Sequence, residues 1–354
     1  MSIPVTELRQ SWPRPTAPKP IVIIGAGGIV TDAHLPAYKL AGLPVAGIYD
    51  IDPARARAVA DKWGLTAFDT LEAAIATPGA VYDLPLPPAA HLDVLPHLPA
   101  GAAVLLQKPM GRDLAEATAI LALCRTKGLK AAVNFQLRFS PMFLALADAI
   151  ARGWLGRVVD VEVHLNILTP WHLFPFLKGM PRVEIAVHSI HYLDTLRALL
   201  GNPTGVHART LGHPNTELAQ TRTSMLIDFA PGQRVTLSIN HNHDFGRRFQ
   251  AADFRVEGDA GVAEAKLGVL LNYPAGEPDE LWLARQGEDW TAVPLSGTWF
   301  PHAFIGTMSN LQRYAAGEDD RLVTSVEDAW HTMALVEAAF TSASLPATPV
   351  PGAP

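Results

Sequence analysis

Ile21-Val22-Ile23-Ile24-Gly25-Ala26-Gly27-Gly28-Ile29-Val30 opens on four apolar residues, breaks into glycines and then takes helical spacing through His34-Leu35-Pro36-Ala37-Tyr38. This order predicts a buried parallel strand, a tight turn and a helix start. Gly25 permits the turn, and Gly27 lets backbone approach a pyrophosphate, whose charge the helix N-terminus favours. Val30 stands where a third glycine or alanine commonly lets helix and strand pack closely, so the stretch alone also fits a plain glycine-rich turn. The following strand, expected over 44–49, decides between the two readings. It ends in Asp50, at roughly the twenty-residue separation of the acidic residue that bonds an adenosine ribose. A dinucleotide site is expected, with NAD rather than NADP. Asp50 would repel a 2′-phosphate, and the nearest arginines, Arg55 and Arg57, lie on the next helix.

Composition narrows the class. A chain of 354 residues suggests two domains, and 49% hydrophobic with 18% charged residues is globular composition. A net charge of −6 supplies no broad basic field for nucleic acid or anionic lipid. No apolar run is long enough to span a bilayer, so a small-molecule partner is expected. The single cysteine, Cys124, excludes an intrachain disulfide and falls in an apolar helical pattern, as a core residue would. No basic-then-apolar leader precedes residue 19, which makes the cytoplasm the expected location. Residues 1–19 read as an extended proline-rich arm.

From 21 to 134 strands alternate with helices, which predicts a parallel sheet covered on both faces. Helices are expected over 53–63, 88–98 and 113–127, and further strands over 80–84, 102–106 and 130–134. The polar or conformationally special residues of this half, Gly25, Asp50, Pro85, Pro87, Gln107-Lys108-Pro109 and Asn134, all fall at strand carboxyl ends, where open α/β sheets bind ligands. Past Arg138 the pattern changes. A helix over 141–151, a strand over 158–165 and a loop with Trp171 and His172 lead to one helix over 184–200, stopped by Gly201 with Pro203 beyond it. Strands over 221–229, 234–241, 249–256 and 262–271 then predict a large, mostly antiparallel sheet. Late helices over 304–315 and 325–342 precede a flexible tail at 346–354. The expected fold is therefore α/β: a Rossmann domain over 20–139 and a substrate-binding and oligomerisation domain over 140–345 with an open sheet.

The chain resembles the glucose-fructose oxidoreductase/inositol dehydrogenase (Gfo/Idh/MocA) family along nearly its whole length. The pieces are Gly25-Ala26-Gly27-Gly28-Ile29 with His34-Leu35-Pro36-Ala37, Tyr49-Asp50-Ile51-Asp52-Pro53, Pro87-Pro88-Ala89-Ala90-His91, Gln107-Lys108-Pro109, Arg138-Phe139-Ser140-Pro141, and His191-Tyr192-Leu193-Asp194 with Arg197 and Gly201. The resemblance implies NAD(P)-dependent oxidation or reduction of a sugar, polyol or sugar acid, and a homodimer or homotetramer. It places the cofactor against Gly25, Gly27, Gly28, Ile29, Asp50, Pro85, Pro87, His91, Gln107, Lys108 and Asn134. It also places Lys108 beside substrate and nicotinamide, and makes His191 the acid/base. Two departures stand out: Gln107 replaces the usual glutamate before the lysine, and Val187 replaces the aspartate that many members carry one turn before the histidine.

Elementary chemistry agrees with those roles. Oxidising a secondary alcohol sends a hydride to nicotinamide while the hydroxyl proton leaves, so a base with a pKa near the working pH must touch that oxygen. A neighbouring ammonium stabilises developing alkoxide charge. On a regular helix Glu184, His188, His191 and Thr195 share one stripe, so Glu184 or His188 is expected to supply the contact missing at Val187, with His188 bridging Glu184 and His191. Arg138, Trp171, His172, Arg182 and His302 are further candidates for a sugar pocket. His241 and His243 admit a zinc reading, but hydride transfer in such a family needs no metal and none is assigned. Two other functions fit the same residues: an NAD-retaining glycosidase or lyase acting by transient sugar oxidation, and a non-enzymatic sugar or nucleotide sensor.

Overall fold

A computed structural model describes residues 4–273 and 275–351. The opening apolar run forms β1 (Ile21–Ile24), and every one of its side chains is buried. A helix follows, its early part widened to a π turn at Val30–His34 and its later part regular as α1 (Leu35–Ala41). Beyond it come β2 (Val45–Tyr49), α2 (Pro53–Trp63), β3 (Thr66–Ala67), α3 (Leu71–Ile75) and β4 (Val81–Leu84). The series ends with α4 (His91–Val94), β5 (Ala103–Leu106), α5 (Leu114–Thr126) and β6 (Lys130–Val133). Asp52 caps α2 by accepting the Ala54 and Arg55 amides, Pro53 starts it and Gly64 stops it in the left-handed region, each as its chemistry dictates. The six strands pair in the order β3-β2-β1-β4-β5-β6, all parallel, which is the doubly wound Rossmann order. The expected helix over 88–98 is instead three short pieces, with Pro88 and Pro96 interrupting regular pairing.

After α6 (Pro141–Ala151), β7 (Val158–Asn166) enters a second sheet, and α7 (Ile190–Leu200) buries Ile190, Leu193 and Leu196 in the core the two sheets share. The sheet continues with β8 (Gly205–Leu211), β9 (Arg222–Asp228), β10 (Arg234–Asn240), β11 (Ala251–Gly258), β12 (Gly261–Lys266), β13 (Glu280–Arg285) and β14 (Thr291–Ala292). Its order is β14-β13-β12-β11-β7-β10-β9-β8, and only the β7–β10 pairing is parallel. The inner residues of β7 and β11 (Val161, Val163, Phe254, Val256) join one core with Val22, Ile24 and Leu84 of the first sheet.

The last two helices, α8 (His302–Ala316) and α9 (Val326–Ser344), return toward the first unit. Phe304, Met308 and Leu311 of α8 pack with Ile21, Ile23 and Ile48, so this helix covers a face of the Rossmann sheet although it follows the second sheet in sequence. The arm is a bound element. Val5 and Leu8 are buried, the Trp12 ring meets Phe139 edge-on, and Trp12 donates to Asp319, Arg14 to the Ala41 carbonyl and the Lys19 amide to Gln312. Residues 1–3 and 352–354 lie outside the described part. No helix among the described residues is long and apolar enough to cross a membrane.

Candidate active site

The glycine turn has the form a dinucleotide requires. Gly25 adopts φ +116°, its amide donates to Tyr49 O at 2.7 Å, and a Cβ there would meet Pro85 O and Leu86 Cδ2 at 3.1 Å. A Cβ at Gly27 would meet nothing within 4 Å, which leaves the turn open where a phosphate would approach. Gly28 and Ile29 begin the helix, whose first amides have no partner within it. Asp50, 7% exposed, accepts Ala26 N at 2.7 Å and Asp52 N at 2.8 Å, one on each carboxylate oxygen. A second lone pair on each oxygen remains for ribose hydroxyls. Arg55 stands 3.6 Å from Asp50 and 3.5 Å from Asp52. The residues present therefore fit a dinucleotide.

Two residues expected at the cofactor have other partners, and a third is buried. Gln107 accepts the Lys108 amide at 2.9 Å and places its side-chain nitrogen 3.4 Å from His34 Nε2. The Asn134 amide nitrogen lies at the same distance from His34, and its oxygen accepts from Thr307 at 3.0 Å. His34 Nδ1 reaches Asp83 at 2.7 Å, and Tyr38 donates to the same carboxylate oxygen at 2.7 Å. Gln107 and Asn134 thus tie the ends of β5 and β6 into a buried network centred on His34 and Asp83, which the sequence did not reveal as a unit. His91 is fully buried, and desolvation pushes its imidazole down to about 4 despite the Leu84 backbone beside it. It packs as a neutral ring beneath the strand end.

Lys108, at the end of β5, donates from Nζ to the Val187 carbonyl at 2.9 Å. Burial pushes its ammonium down to about 8. The helix expected over 184–200 is not regular throughout: Ile185–Ser189 form a π turn before α7. Such widened turns disturb the usual carbonyl pairing and recur at functional sites. Where an aspartate side chain would stand at Val187, this chain offers backbone to the lysine. His191 is 7% exposed, its Nδ1 has no partner among the described residues, and its ring meets Trp299 edge-on at 5.4 Å. Burial, and then the Lys108 charge, hold its pKa well below the usual value. His188 is lowered likewise, by burial first and then by His241, Lys108 and His191. Lys108, His188 and His191 therefore feel one another although they come from β5 and from the helix of the second unit.

The bridge expected from Glu184 through His188 is not the one the structure makes. Glu184 is fully buried, and its Oε1 accepts from Ser189 at 2.8 Å and meets His241 Nε2 at 3.3 Å. Thr169 meets the other ring nitrogen of His241 at 2.8 Å. Trp171 sets its ring 5.2 Å from both His188 and His241, whose own rings lie 4.5 Å apart. The π turn explains the difference, since it rotates Glu184 away from the stripe a regular helix would form.

Arg138, Arg182 and His302 are taken by structural partners. Arg138 forks onto Asp194 at 2.5 and 2.6 Å and reaches Asp328 at 2.7 Å, so it presents no free guanidinium. Arg182 forks onto Glu337 of α9 at 2.6 and 2.7 Å and stacks on Phe340. His302 accepts the Thr298 amide at the start of α8. His172 is exposed on a turn of the Trp171 loop. No group of three His, Cys, Asp or Glu among the described residues is arranged to hold a metal ion. A surface cavity of about 720 Å³ beside Cys124, Lys130 and His331 includes none of these candidates.

A Rossmann sheet with an open glycine turn, joined to a second sheet with Lys108, His188 and His191 gathered near one another, has the layout of a nucleotide-dependent oxidoreductase. Comparison with known proteins agrees: the NAD-binding Rossmann model of the GFO_IDH_MocA oxidoreductase family matches residues 19–135 and the family's C-terminal domain matches 143–264. The chain belongs to that family. It is 30% identical over 246 residues, 66% of its length and 74% of the other's, to D-xylose 1-dehydrogenase (NADP(+)) 2 of Haloferax volcanii. It is 24% identical over 338 residues, 91% of its length and 86% of the other's, to D-apiose dehydrogenase of Paraburkholderia graminis. An oxidoreductase from Agrobacterium radiobacter, solved with NAD+, L-tartaric acid and magnesium, superposes with a TM-score of 0.76 at 21% identity, covering 93% of this chain and 97% of that one. That likeness is one of fold.

Proposed function

We propose that the protein is an NAD-dependent dehydrogenase or reductase acting on a secondary hydroxyl or ketone of a sugar or polyol, with His191 as general acid/base and Lys108 as charge stabiliser. The observation that carries the reading is that Lys108, from the end of β5, bonds the Val187 carbonyl one turn before His191, so that the two groups converge from the first sheet and from the helix of the second unit. Bound nicotinamide supplies the hydride acceptor. In oxidation the C–H bond breaks with its electron pair leaving as hydride, the C–O bond becomes a carbonyl and the hydroxyl proton passes to the neutral imidazole of His191. Lys108, fixed by the Val187 carbonyl, holds its charge where alkoxide character develops. Trp299 and burial keep water from the imidazole. Relatives named for xylose and apiose support the substrate class. Initial rates of NAD(P)H formation over a panel of sugars and polyols test the reading, and no turnover with any of them would end it.

NAD is expected to outperform NADP by about tenfold or more in kcat/KM, a preference of at least ~1.4 kcal/mol. Asp50 faces the ribose position, and Arg55, the nearest guanidinium, already stands between Asp50 and Asp52. A higher kcat/KM with NADP would reverse the assignment. The second sheet turns Leu226 and Trp282 outward, 42% and 39% exposed, and this supports assembly into a homodimer or homotetramer, which light scattering measures directly.

A further inference from the structure

We infer that Glu184 is the specificity-determining residue of the substrate pocket: its carboxylate receives hydroxyls of an uncharged polyhydroxylated substrate and turns away sugar acids and sugar phosphates. The inference rests on the oxidoreductase reading above and names the substrate class of that same site.

Glu184 is held from one side only. Its Oε1 takes the Ser189 hydroxyl and faces His241 Nε2, while Oε2 is buried with no hydrogen-bond partner among the described residues. An acceptor-only oxygen left this way is costly, and native structures leave few such groups without a role. The His241 tautomer that fits both contacts donates from Nε2 to Glu184 and accepts at Nδ1 from Thr169, so the carboxylate is braced against the sheet. Against the His241 and His188 rings lies the complementary orphan, Trp171 Nε1, a donor that is buried without a partner among the described residues. His188 touches this group through His241 and Trp171 and is electrostatically coupled to Lys108 and His191, which makes the acceptor and the donor continuous with the hydride-transfer residues.

An orphaned acceptor and an orphaned donor that share the His241 ring as neighbour suit hydroxyl groups, which both give and take a hydrogen bond. They do not suit an anion. The arginines that would neutralise one are spent, Arg138 on Asp194 and Asp328 and Arg182 on Glu337, and Lys108 is turned toward Val187 at the reacting end. A substrate carboxylate or phosphate beside Glu184 would place like charges together where little water screens them.

The test compares D-xylose with D-xylonate, D-glucose with D-glucose 6-phosphate, and myo-inositol with myo-inositol 1-phosphate, using the full-length protein and saturating NAD. The neutral member of any pair turned over should lead by about 100-fold in kcat/KM, and Glu184→Gln, which keeps the shape and removes the charge, should narrow that ratio at least about tenfold. An anionic member used as well as its neutral partner, or an unchanged ratio in a folded Glu184→Gln, overturns the inference. If Glu184→Gln does not fold, the wild-type ratio decides. Turnover of none of the six compounds fails the oxidoreductase reading instead. Calorimetric binding of the same pairs then decides the inference separately, with preference for the neutral member supporting it and equal, reversed or absent binding overturning it.

Discussion

His191→Ala is expected to lower kcat for alcohol oxidation by roughly 10²–10⁴-fold, the usual contribution of a general base, while the dissociation constant for NAD stays within about twofold. Gly25, Gly27 and Asp50, proposed above to hold the cofactor, lie in the turns after β1 and β2 and make no contact with this imidazole. The pH profile gives the assignment its sign. Burial and the Lys108 charge lower the His191 pKa, so the neutral, proton-accepting form persists below the ordinary histidine value, and the acid limb should fall below about pH 6.5. Lys108 is pushed down to about 8, so its stabilising charge is lost as pH rises through that value, which sets the alkaline limb. Lys108→Met should abolish the alkaline limb together with much of kcat. Initial rates of NADH formation from roughly pH 5 to pH 10 separate the two limbs. Near-wild-type turnover in His191→Ala would remove this histidine from the mechanism.

Arg138→Met should act on stability and not on substrate affinity. Arg138 and Asp194 are buried, their fork is reinforced by Asp328, and Thr332 donates to Asp194 at 2.8 Å. Removing one partner of such a pair leaves an uncompensated buried charge and costs about 3–5 kcal/mol. Burial already raises the Asp194 pKa, with Arg138 opposing the rise, so loss of the guanidinium pushes that carboxyl further toward its neutral form. Urea unfolding should show the loss, with KM for substrate nearly unchanged. The double variant Arg138→Met with Asp194→Leu should recover a large part of it, because both charges are then gone. A raised KM with full stability would instead make Arg138 a substrate ligand.

What could be read from the residues was local. The run 21–24 followed by Gly25, the aspartate ending β2 and the proline and glycine that bound α2 are short-range signals, and together they placed the nucleotide end. The inner strands of the second sheet alternate strongly enough to be seen, but β8 and β13 escaped notice. Both are edge or near-edge strands with few fully buried side chains to mark an inner face. Long-range pairings had no local trace: Arg138 finds Asp194 56 residues away, and His241 finds Glu184 across 57. The π turn over Ile185–Ser189 also left no mark, since its sequence is compatible with an ordinary helix, and it moved Glu184 from the expected partner to another. A proline-rich composition implies an extended arm but not where it lies, because the sites that anchor Trp12 and Arg14 exist only in the folded chain.

The return of α8 to the first sheet bears on how the chain comes apart. A fragment ending near residue 139 would expose the Ile21, Ile23 and Ile48 face that Phe304, Met308 and Leu311 cover, and the other face shares its core with Val161 and Phe254. The nucleotide-binding half is thus not an excisable module, and heating should melt the whole molecule in one cooperative calorimetric transition. The same wiring means that synthesis must pass residue 311 before the first sheet can close, so the nascent chain carries an open apolar face for most of its length.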